Sequence, residues 1–485
     1  MKNIFGRIMI AIEIFIFLFS IKCFCNNLKD TKNQADYILI TPTSYYVMAQ
    51  SLADFRHTKN GYATMVVNVD SIYAQFGNST TQDTVLKNFI QFTLNSWSKP
   101  VPQYFVLVGN TNVIPSHPEP ETLGDTSDHG IDTVLMIDQW FAEKSDSINY
   151  LPKINTCIAR LPAWDSVGLS VILAKIIEYE NDTTSSWTNR VISLADYWSA
   201  DYGYQFEWDA KCFREMCSNV WNDTIAVDIR SDSPNHLDTA AFINLWNEGA
   251  AIVSYNGHAC QEYFSHYQYF TTEDVDSLHN GNKLPVCLFG GCDLTYDTRP
   301  PVSIATHLLQ KTDGGAVAVI SSEGLNYESP SVDLYNYIIQ ILTKNVDQSL
   351  GSVFEQAKSN IYDGCYEELK RFTLLGDPAL VIKHPATITS VARTHTQIAS
   401  YVLHQNYPNP FNPTTTIVYD LPVSGWVTLK VYDILGREVK TLVEDRQTAG
   451  SHSILFNANR FASGTYFYRM QCGNFVQTKK LLLLK

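Results

Sequence analysis

Ala251-Ile252-Val253-Ser254-Tyr255-Asn256-Gly257-His258-Ala259 reads as a buried strand that delivers a histidine. Its first five residues are nearly all apolar, as a parallel strand covered on both faces requires. A second stretch is built the same way: Pro285-Val286-Cys287-Leu288-Phe289-Gly290-Gly291-Cys292-Asp293. Each ends in glycine and then a reactive side chain, at the carboxyl edge where open α/β sheets bind ligands. Working outward, similar apolar runs occupy 37–40, 64–67, 104–109, 191–195 and 316–320. Helical stretches at 44–57, 83–97, 166–180, 302–310 and 332–342 separate them. Such alternation predicts an α/β fold with a mostly parallel sheet. The pattern continues to about Ile382, long enough for two α/β subdomains side by side.

The start of the chain has another character. Lys2 and Arg7 precede an apolar run over 8–21, broken only by Glu13 and Ser20. Cys23 and Cys25 are small enough for the cleavage positions, so 1–25 reads as a signal peptide, with a retained anchor as the alternative. No later stretch approaches the ~18 apolar residues of a membrane span, so the mature chain is expected to be exported without one. The net charge of −14 repels phosphate backbones and argues against a nucleic-acid partner. Eight cysteines follow the signal at irregular spacings, without a C-x-x-C pair. If one is catalytic, an odd number remains, and at least one more is unpaired within the chain.

Cys292 and His258 carry the candidate chemistry. A thiolate is a nucleophile that needs a base or cation beside it. An imidazole can take the thiol proton and later deliver it to a leaving amine. One crossover, with a helix over 271–279, would bring the two strand ends together. A zinc site on His258, Cys260, Cys287 and Cys292 is the chemical rival, but its spacings are not those of zinc knuckles. Cys287 sits mid-strand, where a free cysteine behaves as a small hydrophobe. His117, His129, His266 and His307 read as ordinary surface or core residues. Asp125, Asp128, Asp132 and Asp138 form an acidic cluster that could hold structural calcium or be a solvated loop.

Tyr255-Asn256-Gly257-His258, the Gly291-Cys292 strand end, Leu284-Pro285-Val286, Gly315-Ala316-Val317 and Leu374-Leu375-Gly376-Asp377-Pro378-Ala379-Leu380 occur in that order. Together they resemble the gingipain (C25) cysteine peptidases over roughly 37–382. The resemblance implies a caspase-like, mostly parallel sheet in a peptidase domain spanning 26–382. It implies an endopeptidase with a Cys292–His258 dyad, a thioester intermediate and no catalytic cofactor. It assigns the oxyanion hole to the main-chain N–H groups of Gly257 and Cys292. By the same mapping Asp196 would orient the histidine, and Glu207, with Asp201 behind it, would bind a basic P1 side chain. Structural calcium also occurs in such enzymes. Three features depart from the pattern. Ala259 stands where glycine usually follows the histidine, and Gly291 where alanine often precedes the cysteine. Only about a dozen residues separate Asn26 from the first strand, where gingipains carry a long inhibitory leader. A sortase-like transpeptidase and a catalytically silent surface or adhesive protein are the alternatives on the same residues.

After a polar, Thr-rich linker over 383–402 the composition changes. Tyr407-Pro408-Asn409-Pro410-Phe411-Asn412-Pro413 precedes short alternating strands at 416–421, 427–433, 453–456 and 464–471, expected to form a small antiparallel β-sandwich. Val431-Tyr432-Asp433-Ile434-Leu435-Gly436-Arg437, Gly464-Thr465-Tyr466-Phe467-Tyr468-Arg469 and Lys479-Lys480-Leu481 are similar to the type A C-terminal sorting domain of type IX secretion. That likeness implies export by the type IX machinery through 403–485. It further implies release, or attachment at the surface of a Gram-negative, Bacteroidetes-like bacterium. The partners implied are protein or peptide substrates and the secretion machinery.

Overall fold

The computed structural model describes residues 27–77, 81–120, 134–143, 156–183, 186–197, 205–231, 233–295, 302–326, 328–361, 366–385, 401–422, 425–447, 450–473 and 475–484. The expected signal peptide, Asp125, Asp128, Asp132, His129, Asp201 and most of the linker lie outside them. The chain divides into two compact units, 1–386 and 387–485.

The first unit is built on one ten-stranded sheet. Its strands are β1 (Tyr37–Thr41), β2 (Thr64–Asn68), β3 (Tyr104–Val108), β4 (Cys157–Leu161) and β5 (Arg190–Ala195). They continue with β6 (Asp223–Asp228), β7 (Ile252–Asn256), β8 (Val286–Gly290), β9 (Ala318–Ser322) and β10 (Phe372–Leu375). Their order across the sheet is β2-β1-β3-β4-β10-β9-β8-β7-β5-β6. All neighbouring pairs are parallel except β9 with β10. The two expected halves therefore share a continuous sheet, joined where β10 lies between β4 and β9.

Both faces of the sheet are buried, which explains the unbroken apolar runs. Along β1, Tyr37 and Leu39 enter one core while Ile38 and Ile40 enter another. This is the two-residue alternation of a strand acting on an all-apolar segment. Helices cover the faces. Helix α1 (Tyr46–Asn60) stops at Gly61, whose φ of 72° is the left-handed conformation glycine adopts without strain. Helix α2 (Ser166–Asn181) starts where Asp165 accepts the Gly168 N–H at 2.8 Å. Helices α3 (Gln205–Cys217) and α4 (Glu328–Lys344) follow β5 and β9 and flank the site described below.

The connection from β7 to β8 corrects the expected crossover. Its helix is a single turn, Thr272–Val275, fixed by a reciprocal capping box between Thr271 and Asp274. The first half of the crossover instead carries a small three-stranded antiparallel sheet of 259–260, 263–264 and 270–271.

The second unit is a β-sandwich. One sheet holds β11 (Val402–Leu403), β12 (Thr414–Leu421) and β15 (Gly450–Asn457). The other has the order β14 (Glu438–Gln447), β13 (Gly425–Tyr432), β16 (Gly464–Cys472), β17 (Phe475–Leu483). Leu429, Val431, Tyr468, Met470 and Leu481 belong to the single core between them. Strands β14 and β17 escape the sequence pattern because charged residues such as Lys440, Lys479 and Lys480 break up their apolar residues.

Asp377, in the Leu-Gly-Asp-Pro motif, has a structural role. It is fully buried and accepts from Tyr37 Oη at 2.9 Å, Arg56 Nε at 2.7 Å and the Ala379 N–H at 2.9 Å. Arg56 is equally buried and lies 2.8 Å from Glu180 as an ion pair rather than an aligned hydrogen bond. Removing one partner of a buried ion pair strands the other. We expect Asp377→Ala to cost about 3–5 kcal/mol. Asp377→Asn, which keeps the acceptor for Tyr37, should cost less. Urea unfolding midpoints of the two variants measure the difference.

Candidate active site

The site follows from strand register. Strands β7 and β8 pair in parallel with Asn256 opposite Gly290. His258 and Cys292 therefore each stand two residues beyond the last paired position. The two loops touch, since a Cβ built on Gly291 would lie 2.5 Å from the Ala259 Cβ and 3.3 Å from the Gly257 carbonyl oxygen.

The His258 main chain is gripped from below. Asp196 directly follows β5, and its N–H donates to the Asn256 carbonyl at 2.9 Å. Its buried carboxylate accepts the His258 N–H at 3.0 Å, the Tyr255 hydroxyl at 3.3 Å and the Tyr197 N–H at 2.7 Å. The Tyr255 hydroxyl shares its single proton between Asp196 and the nearer His258 carbonyl, and accepts the Ser265 N–H at 3.0 Å. The Tyr255 ring is fixed by stacking on Phe264, 4.2 Å away. Gly257 fills the narrow space between, where a Cβ would lie 2.1 Å from the Asp196 Cβ and 2.6 Å from the Tyr255 hydroxyl.

The imidazole packs edge-on against Phe206 of α3 at 5.5 Å and lies 4.4 Å from the ring of His266. Burial, then the neighbouring His266, hold its pKa below the ordinary value, and the charge of Asp196 opposes them. Asp196 thus contacts the His258 main chain, and acts on the ring as a nearby charge. His266 was expected to be an ordinary histidine, but the tight turn after Phe264 folds it onto His258, a contact beyond any spacing argument. Residues 265 and 268 both take positive φ in that turn, at 65° and 52°.

Cys292 is half-buried, and its sulfur lies 3.4 Å from the N–H of Asn326 and 3.7 Å from the Asn326 carbonyl oxygen. The turn holding it is laced to the loop after β9. Asp293, at φ 57°, donates its N–H to the Gly324 carbonyl and accepts the Gly324 N–H at 2.7 Å. Asn326 and Tyr255 are the contacts that sequence reading missed. Tyr255 sits within the quoted strand, and its inward phenol was the available signal.

The remaining candidates fall elsewhere. Glu207, in the first turn of α3, accepts Arg230 Nε at 2.7 Å. Cys287 is wholly buried mid-strand, and burial pushes its thiol pKa well up. Asp138, from the acidic cluster, is committed to Arg160 and Ser116. His117 stacks on Trp140 and pairs with Asp83, and His307 pairs with Asp276. Among the described residues no cluster of three or more His, Cys, Asp or Glu side chains is placed to hold a metal ion. Nor, among them, is any helix long and apolar enough to cross a membrane.

The Ala259–Gly291 contact has room for one methyl group. The resemblance noted above usually has it on the cysteine side, and here it is on the histidine side. Gly291→Ala alone should overpack the contact and cost about 1–3 kcal/mol. Adding Ala259→Gly should recover most of that loss. Denaturant unfolding of the two single variants and the double measures the coupling.

The model of peptidase family C25 matches residues 30–383. That of the secretion system C-terminal sorting domain matches 405–484. No curated protein matches the sequence. Among solved structures, the Arg-specific cysteine proteinase gingipain R (RgpB) is similar with a TM-score of 0.60 at 18% identity, covering 95% of this chain and 99% of that one. The complex of Porphyromonas gingivalis RgpB pro- and mature domains gives 0.59 at 17% identity, covering 92% and 100%. At such identities the likeness is one of fold. The family match spans most of the sequence and includes both strand ends, and by it the chain belongs to peptidase family C25.

Proposed function

We propose that this C25 peptidase is an exported cysteine endopeptidase in which Cys292 is the nucleophile and His258 its proton-transfer partner. The observation that carries the reading is the parallel register of 252–256 with 286–290, which gives both residues the same offset beyond adjacent strands. His258 takes the thiol proton as the sulfur attacks the scissile carbonyl carbon. The C–S bond forms, and negative charge moves onto the carbonyl oxygen, where main-chain N–H groups of Gly257 and Cys292 would stabilise it. Protonated His258 then gives its proton to the leaving amine as the C–N bond breaks. Water, deprotonated by His258, hydrolyses the thioester and restores the thiol. Asp196 and Tyr255 act as positioning residues, through the His258 main chain.

The sorting domain carries the chain out of the cell. We take it to be removed after passage through the outer membrane, leaving the peptidase released or attached at the cell surface, with protein or peptide substrates.

Cys292→Ala should lower peptide cleavage by about 10⁴-fold or more while the fold persists. It should also abolish labelling by a thiol-directed acyl-type inhibitor, and unchanged labelling would defeat the assignment. With an added amine nucleophile, hydrolysis products should still dominate. A predominantly aminolysed product would favour transpeptidation instead.

The pH profile tests His258 separately. Its pKa is held down, so the ring remains a neutral acceptor at neutral pH and below its ordinary value near 6.5. Activity should persist below that value and fall as pH drops through the lowered pKa. His266→Gln removes a neighbour that disfavours the imidazolium, so the acid limb of kcat/KM should move to higher pH. An unmoved limb would separate His266 from the chemistry.

A further inference from the structure

Strand β10 runs antiparallel to β9, with its first residue, Phe372, opposite the last residue of β9, Ser322. It therefore starts at the edge where β9 and its parallel neighbour β8 end, beside the Cys292 turn. Arg371, just before β10, is delivered to that edge and is buried, 1% exposed. Its carbonyl accepts the Glu323 N–H at 3.0 Å, and its Nη1 donates to the Leu325 carbonyl at 2.8 Å. The Leu325 carbonyl and the Asn326 N–H belong to one peptide group. That N–H donates to the Cys292 sulfur at 3.4 Å. Guanidinium, peptide and sulfur thus form a chain of two hydrogen bonds.

Hydrogen bonds in a chain polarise one another. A cationic donor on the carbonyl draws electron density from the N–H, which becomes a stronger donor to the sulfur. The effect acts through the bond itself and does not require a bare charge. The two states of the sulfur use Asn326 differently. As a thiol it donates to the Asn326 carbonyl at 3.7 Å and accepts from the N–H. As a thiolate it can only accept. Ionisation therefore forfeits the bond of a weak S–H donor. It also makes the N–H bond charge-assisted, roughly twice as strong as a neutral one. The exchange favours the thiolate.

Building on the peptidase reading, we infer that Arg371 is a positioning residue for the nucleophile: through the peptide joining Leu325 to Asn326 it strengthens the N–H that holds the Cys292 sulfur, and so favours thiolate over thiol. The proton that leaves the sulfur goes to His258, as in the reaction above.

The test is the rate of Cys292 alkylation by iodoacetamide against pH, read by mass spectrometry of the peptide that carries it, with peptide cleavage followed in parallel. The thiolate is the form that reacts, so the rate follows ionisation. Arg371→Met should slow alkylation by about three- to tenfold on the acid side of the profile and leave the alkaline plateau in place. Asn326→Pro, which deletes the N–H, should show the same loss relative to Asn326→Ala, which keeps it. This second pair of variants covers the case in which Arg371→Met does not fold. In the Asn326→Pro background, Arg371→Met should no longer move the profile, because both act through one bond. An unmoved acid side, equal slowing at every pH, or full additivity in the double variant overturns the inference, and cleavage by the native protein then leaves the peptidase reading standing. A native chain that cleaves no peptide strikes the peptidase reading itself, and Arg371 then positions no nucleophile.

Discussion

The site depends on one pairing register. In a parallel pair, two chains leave the sheet side by side and in the same direction, so residues at equal offsets stay neighbours. Asn256 opposite Gly290 makes His258 and Cys292 such residues. Side chains alternate faces every residue, so a slip of one position would turn one group away from the other. The register is protected because both faces of both strands are buried, and a slip would exchange the two sets of core contacts at once.

Register brings the two residues to one edge, and polar anchors keep them there. Asp196 and the Tyr255 hydroxyl hold the N–H and carbonyl of His258. Burying a carboxylate is unfavourable unless its oxygens are satisfied. Asp196 meets that condition with donors from Tyr197, Tyr255 and His258. The same arrangement explains why the residue before His258 has no side chain, since Asp196 and Tyr255 converge on the Gly257 Cα. On the cysteine side the anchors are main-chain groups of Gly324 and Asn326.

The legible parts of the fold were those governed by local pattern. Continuous apolar runs over 37–40, 104–109 and 252–255 have few other uses than strands covered twice. The strand ends at Gly257-His258 and Gly291-Cys292 were visible because glycine beside a reactive side chain is a local signal. What escaped was contact between segments distant in sequence. His266 reaches His258 only through positive-φ turns that no alternation pattern records. Arg230 reaches Glu207 because β5 and β6 lie side by side at the sheet edge. The crossover between β7 and β8 failed for a subtler reason. Thr271 and Asp274 are a true helix-start signal, but the stop follows within one turn. In the sandwich, β17 reads poorly because one face of an antiparallel sheet can face solvent, which spreads its apolar residues among lysines.

The departures from the family pattern become a single fact once the two loops are seen in contact. Read along the chain, Ala259 for glycine and Gly291 for alanine are separate changes, each slightly altering a loop beside a reactive group. In space they share one small volume. A close-packed interior resists both an added methyl and a missing one, but it is indifferent to which backbone the methyl comes from. Moving it from the cysteine loop to the histidine loop leaves the same volume to be filled between them. What packing constrains at this contact is the summed volume between two strand ends, and neither residue's identity alone describes it.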